Sequence, residues 1–108
     1  ALPFDPRLAQ QHGSLHAGAM AAAVDSACGY AALSLMEPGA AVVSVEFKVN
    51  LLAPGLGERF RAVGRVVRAG RTLTVCAGEL VAERDGESTV VAVMQATMMA
   101  VRGRGTAD

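Results

Sequence analysis

Positions 17–36 are almost all apolar or small, whereas from Val42 onward apolar and polar residues alternate. The first pattern predicts a buried helix and the second a set of strands with one covered face. Alanine, the best helix former, recurs through positions 16–36, and Pro38-Gly39 ends the run. Small residues lie all round this helix rather than on one stripe, which predicts cover on most of its sides.

Positions 42–51 place Val43, Val45, Phe47, Val49 and Leu51 on one strand face and Ser44, Glu46, Lys48 and Asn50 on the other. Pro54, Gly55 and Gly57 then break the strand, and positions 59–68 resume an extended pattern with Arg59, Arg61 and Arg65 on a shared face. Ala69-Gly70-Arg71 suits a tight hairpin into a strand over 72–83, and Asp85-Gly86 is the pair favoured by type I′ turns before a last strand over 88–101. That last strand is apolar on both faces, with Val90, Ala92, Met94, Ala96 and Met98 on one and Val91, Val93, Gln95, Thr97 and Met99 on the other, so both are expected to be covered.

Before the helix, Pro3, Pro6 and Gly13 mark an irregular lead-in, with Phe4 as its expected anchor; residues 102–108 read as a disordered tail. One helix followed by about four antiparallel strands makes an α+β layer, a single domain over residues 1–108. The second face of such a sheet needs cover, which another copy of the chain could supply.

The helix holds one acid, Asp25, near its middle. A carboxylate among apolar neighbours is costly unless it is paired, hydrogen-bonded or set at a wet cleft. Asp25 is therefore either a satisfied structural group or a working one, and position alone leaves both open.

Composition narrows the function classes. Ten basic and ten acidic residues give zero formal charge, which argues against a general nucleic-acid or anionic-membrane binder. A hydrophobic share of 52% with no Trp and one Tyr comes mostly from Ala, Val, Leu and Met, a composition that suits burial against a second subunit. Positions 17–36 could span a bilayer in length, but Asp25 near the centre would cost about 2.5–3.5 kcal/mol, and no membrane segment is expected. Cys28 and Cys76 have neither metal-ligand nor disulfide-framework spacing and read as reduced, buried thiols. No signal-peptide pattern opens the chain, so a cytoplasmic location is expected, and the missing initiator Met suggests trimming.

Gly13-Ser14-Leu15-His16-Ala17-Gly18, the acid Asp25 nine positions after His16, Ser26 beside it, Val43-Ser44-Val45 and Asn50-Leu51-Leu52-Ala53-Pro54 with Gly57 form an ordered set of motifs. Together they resemble the hotdog-fold acyl-CoA thioesterases, in particular the phenylacetyl-CoA-type branch, over almost the whole chain. The family pattern is Gly-x-x-His-Gly-Gly followed by a helix with an acid nine positions after the His. Here Ala17 stands in place of the first glycine, and Gln10 stands where the family has an Asn.

The resemblance implies a hotdog α+β fold assembled as a homodimer or homotetramer, and hydrolysis of an acyl-CoA thioester with no cofactor beyond the coenzyme A of the substrate and no metal. It implies Asp25 as general base or nucleophile, Ser44 as its assistant, and Gln10 as the group that positions water. Backbone N–H groups of Ala17 or Gly18, at the positive end of the helix, would receive the oxyanion. His16 is expected to fix the turn by hydrogen bonding and, with Ser26, to border the substrate. Asp25 lies roughly 13 Å along the helix from His16 at about 1.5 Å per residue, so one helix cannot supply both parts to one thioester. A site shared between two subunits follows.

Ser44, by alternation, falls on the polar strand face, where a plain surface serine is an equal reading. Arg59, Arg61, Arg65, Arg68, Arg71 and Arg84 could bind the phosphates of coenzyme A, but more often such residues form a solvated face. Met20, Leu33, Met36, Phe47 and Met94 could shape an acyl pocket or simply fill the core. Two alternatives stand beside hydrolysis: an acyl-CoA or acyl-carrier-protein hydratase or dehydratase, which would want an acid–histidine pair, and a non-catalytic acyl-CoA binding module.

Overall fold

The computed structural model describes residues 2–3 and 16–102. Phe4 and Gln10 lie outside the described residues. The elements run β1 (Leu2–Pro3), α1 (Ala17–Leu33), β2 (Ala41–Leu51), β3 (Arg59–Ala69), β4 (Leu73–Arg84) and β5 (Glu87–Val101). All strand neighbours are antiparallel, in the order β1-β3-β4-β5-β2, and α1 packs on one face of the sheet. This is the α+β hotdog arrangement that the sequence motifs imply, with the two-residue β1 added at the edge of β3.

The helix ends three residues earlier than the apolar run suggests. Ser34 Oγ donates to the Ala31 carbonyl at 2.7 Å, and the N–H groups of Leu35 and Met36 reach back three residues to Ala32 and Leu33. These bonds tighten the last turn and satisfy carbonyls that an α-helix leaves open. Among the described residues, α1 is covered on one side rather than on most. Met20, Val24, Cys28 and Ala32, each four residues apart, form the buried stripe, while Ala22, Ser26 and Tyr30 face outward.

The stripe sits on Phe60, Cys76, Leu80, Met94 and Met98. Its depth is set by two glycines. A Cβ on Gly64 of β3 would stand 2.5 Å from the backbone of Ala27, and one on Gly78 of β4 would stand 2.6 Å from Val24 Cγ1 and 2.8 Å from Cys28 Sγ. The bare backbone at these two points lets α1 settle against the sheet. At the β4–β5 turn, Asp85 and Gly86 both have positive φ, 52° and 80°, as the type I′ reading of Asp-Gly requires.

Two bulges correct the alternation read from the sequence. In β5, Leu80 pairs with Ala92 and Val81 with Val90, so Val91 is an extra residue. It turns into the core at 1% exposure while Val90 is 38% exposed, the reverse of a simple period-two assignment. In β2, Ser44 pairs with Met98 and Glu46 with Thr97, which makes Val45 the extra residue. Val42 and Ser44 therefore share the helix-facing side with Phe47 and Val49 rather than opposing them. Among the described residues only the helix side of β5 is covered: Gln95 on the other face is exposed, and Val93, Thr97 and Met99 are half-buried.

Arg59, Arg61 and Arg65 do share a face, the one away from α1, since Phe60, Ala62 and Val66 between them pack toward the core. Glu37 and Arg102 pair at 2.9 Å, and Arg102 also donates to the Arg71 carbonyl, which ties the end of β5 to the loop after α1. The guanidinium holds the Glu37 carboxyl below its ordinary pKa.

Candidate active site

Asp25 follows Val24 on the helix, so its side chain leaves the buried stripe on the flank facing β2. Across the gap, the bulge at Val45 brings Ser44 to the helix side, and Ser44 Oγ donates to Asp25 Oδ1 at 2.8 Å. Met98 Sδ lies 3.3 Å from the same hydroxyl. A hydroxyl has one proton, and the charged carboxylate is the stronger acceptor. The bond leaves Asp25 Oδ2 outside this contact, which is the geometry of an oriented carboxylate with one oxygen to spare.

Beyond the pair lies a groove of about 200 Å³ between α1 and β2, lined by Gly29, Tyr30, Leu33 and Val42, with Ser26 on its rim. Two broader depressions of about 380 and 400 Å³ lie on the opposite sheet face, around Val75, Ala77 and Val93, and hold none of these groups. Leu33 thus lines the groove, as its candidacy for pocket shaping suggests, whereas Met20 and Met94 are core.

At the start of α1, His16 is the N-cap, with extended φ/ψ of −62° and 142°, and its Nδ1 accepts from the Gly18 N–H at 3.1 Å. The histidine therefore fastens the turn. With Gly18 already engaged and Met20 bonded to the His16 carbonyl, Ala17 and Ala19 carry the first-turn N–H groups that have no intrahelical acceptor. No acidic residue stands in the first turn to offset the positive helix end.

Cys28, one turn from Asp25, is fully buried, and burial pushes its thiol up to about 11, with Cys76 and Asp25 adding to the effect. Burial raises the Cys76 thiol too, and its Sγ donates to the Cys28 carbonyl at 3.5 Å. Both stay protonated at neutral pH and are no nucleophiles. The arginines Arg59, Arg61 and Arg65 face away from the groove, and Arg61 lies 3.8 Å from Glu83.

Sequence reasoning left two groove residues unnamed, Gly29 and Tyr30. Their signal was the helical period: Gly29 stands four positions after Asp25 and Tyr30 four after Ser26, so each continues a groove residue by one turn.

The thioesterase superfamily model matches residues 12–89. No curated protein matches the chain. Among solved structures, a thioesterase family protein from Silicibacter pomeroyi is 57% identical with a TM-score of 0.92, covering 94% of this chain and 74% of its own. A Bacillus halodurans protein solved with CoA is 26% identical, TM-score 0.85, covering 93% of this chain and 68% of its own. A phenylacetic acid degradation-related protein from Ralstonia eutropha is 25% identical, TM-score 0.79, covering 90% and 70%. The helix with its single acid, the antiparallel sheet and these matches lead to one conclusion: the chain belongs to the thioesterase superfamily.

Proposed function

We propose that this protein hydrolyses an acyl-CoA thioester to the free acid and coenzyme A, with Asp25 as the reacting carboxylate. The observation that carries this reading is the 2.8 Å bond from Ser44 Oγ to Asp25 Oδ1 at the head of an apolar groove. Coenzyme A in the Bacillus halodurans relative supports the same ligand class.

Ser44 holds one carboxylate oxygen, so the other faces either the thioester carbon directly or a water from which it takes a proton. The new C–O bond forms as charge moves to the carbonyl oxygen. The C–S bond then breaks: in the water route the proton taken by Asp25 passes to the coenzyme A sulfur as the free acid leaves, and in the direct route a water opens the Asp25–acyl anhydride, its hydroxyl completing the acid and its proton going to the coenzyme A thiolate. The oxyanion needs a donor aimed at it, and the Ala17 N–H at the helix start is the candidate. Because Ala17 and Asp25 sit eight residues apart on one rigid helix, about 12 Å at 1.5 Å per residue, the donor comes from a second copy.

A route to that assembly is the free edge of β2, eleven residues long at one end of the sheet, with Val43, Val45 and Phe47 exposed. Pairing β2 antiparallel with its copy about a two-fold axis sets the two α1 helices antiparallel, so the start of one lies beside the body of the other. Gln10 would position water in this scheme, with His16 and Ser26 bordering the substrate.

The test is release of free thiol from a panel of acyl-CoA thioesters. Asp25→Asn should lower kcat at least about 100-fold, a barrier increase of about 2.7 kcal/mol, with circular dichroism and oligomeric state unchanged. Turnover by Asp25→Asn equal to wild type would exclude this carboxylate, and absence of thiol release by the wild type on every substrate would exclude hydrolysis.

A further inference from the structure

Gly29 is a glycine that the fold itself does not need. It sits inside α1, where glycine costs stability against alanine, and its backbone is not in the left-handed region. The other glycines against the helix are different: at Gly64 and Gly78 an added Cβ would overlap backbone or core side chains. At Gly29 the nearest atom to an added Cβ is Val42 Cγ1, at 4.0 Å, an ordinary contact. What that Cβ would occupy is the groove.

One turn past Asp25, the groove runs over Gly29 with Leu33 and Val42 at its sides and the Tyr30 ring at its rim. Tyr30 is the one tyrosine of the chain and is 75% exposed, a large aromatic surface left beside an apolar trough. Among the described residues no charged side chain lines the groove beyond Asp25. Its 200 Å³ is below the roughly 300–1,000 Å³ that encloses a drug-sized ligand, so it fits one arm of a thioester and not the whole.

On the reading that Asp25 attacks or activates water at the thioester, we propose that Gly29 and Tyr30 set the acyl preference. A compact apolar acyl group lies over Gly29, against the Tyr30 ring, with its carbonyl end at Asp25 and Ser44. Gly29 is the floor that determines how bulky that group can be, and Tyr30 is the wall that closes on it.

The test uses Gly29→Ala and Gly29→Val in the full chain, assayed with acetyl-, butyryl-, hexanoyl- and benzoyl-CoA. Each buried methylene contributes roughly fourfold to binding. The wild type should therefore favour hexanoyl- and benzoyl- over acetyl-CoA, Gly29→Ala should narrow that ratio severalfold, and Gly29→Val should reduce it at least tenfold. An equal loss on all four substrates would assign the groove to the coenzyme A arm and overturn the proposal while leaving hydrolysis intact. A changed oligomeric state with unchanged acyl ratios would overturn it too, by making Gly29 an interface residue.

A second readout does not depend on turnover. With no Trp present, intrinsic fluorescence reports Tyr30 alone. Titration with hexanoyl-N-acetylcysteamine should change that emission in wild type and Asp25→Asn but not in Gly29→Val. No change in the wild type would refute the groove assignment, even where Asp25 proves catalytic.

Discussion

Where α1 meets β3 and β4, two sheet glycines bring backbone against helix with no room for a methyl group; where it meets β2, a helix glycine has room for one and a carboxylate faces a serine. The first flank is closed by packing, the second is held apart. The same helix thus has one side that fixes its position and one side that can act from it. A reacting group benefits from this division, because a site built on a rigid element is held more narrowly than one on a loop.

The division can be broken most severely on the closed flank. Gly64→Ala puts a Cβ 2.5 Å from the Ala27 backbone, which cannot rotate away as a side chain can. Chemical denaturation should show a loss of about 3 kcal/mol, at the upper end of overpacking costs. On the open flank, Ser44→Ala should leave denaturation nearly unchanged, since water can reach the freed Asp25 oxygen. It should lower kcat about tenfold, about 1.4 kcal/mol, through loss of a hydrogen bond to a charged group. If Ser44→Ala instead unfolded the protein and kept its turnover, the two flanks would have to exchange roles.

The smallest effect sharpens the picture of the closed side. Burial raises the Cys28 thiol to about 11 in the folded chain, above its ordinary value of 9.0. The fold therefore binds this proton more tightly than the unfolded chain does. Its contribution to stability is complete below pH 9 and is lost as pH rises toward 11. Denaturation midpoints across that interval should fall, and Cys28→Ser should flatten part of the fall. Thiol reagents at neutral pH should label Cys28 only as fast as the helix lifts from the sheet.

Much of the fold is legible in the sequence. Strand limits at Arg59 and Leu51, the Asp-Gly turn and the helix around Asp25 follow from period and turn chemistry, which are local signals. What was not legible depended on pairing. Alternation alone puts Ser44 on the polar strand face, although the family resemblance names it as the acid's assistant, because period-two counting runs unbroken through 42–51 and the extra residue at Val45 exists only in register with Met98 and Thr97. Val91 escapes period-two counting for the same reason. Gly64 and Gly78 look like ordinary strand interruptions until the helix is laid across them. Among the described residues the outer side of α1 and the far sheet face stay open, which period and composition alone do not predict.

The bulge at Val45 is in effect a phase shift in a two-letter code. Counting back from Phe47 without it, Val45 would look toward the helix and Ser44 away, and the acid would confront hydrocarbon. One added residue swaps a methyl-bearing neighbour for a proton donor, while the oily half of the strand downstream keeps its orientation. Chemistry and packing are thereby written on a single strand in different frames, and deletion of Val45 would join those frames into one regular alternation, Val42, Ser44, Phe47 and Val49 inward, with the donor still aimed at the acid but without the local twist that sets its distance.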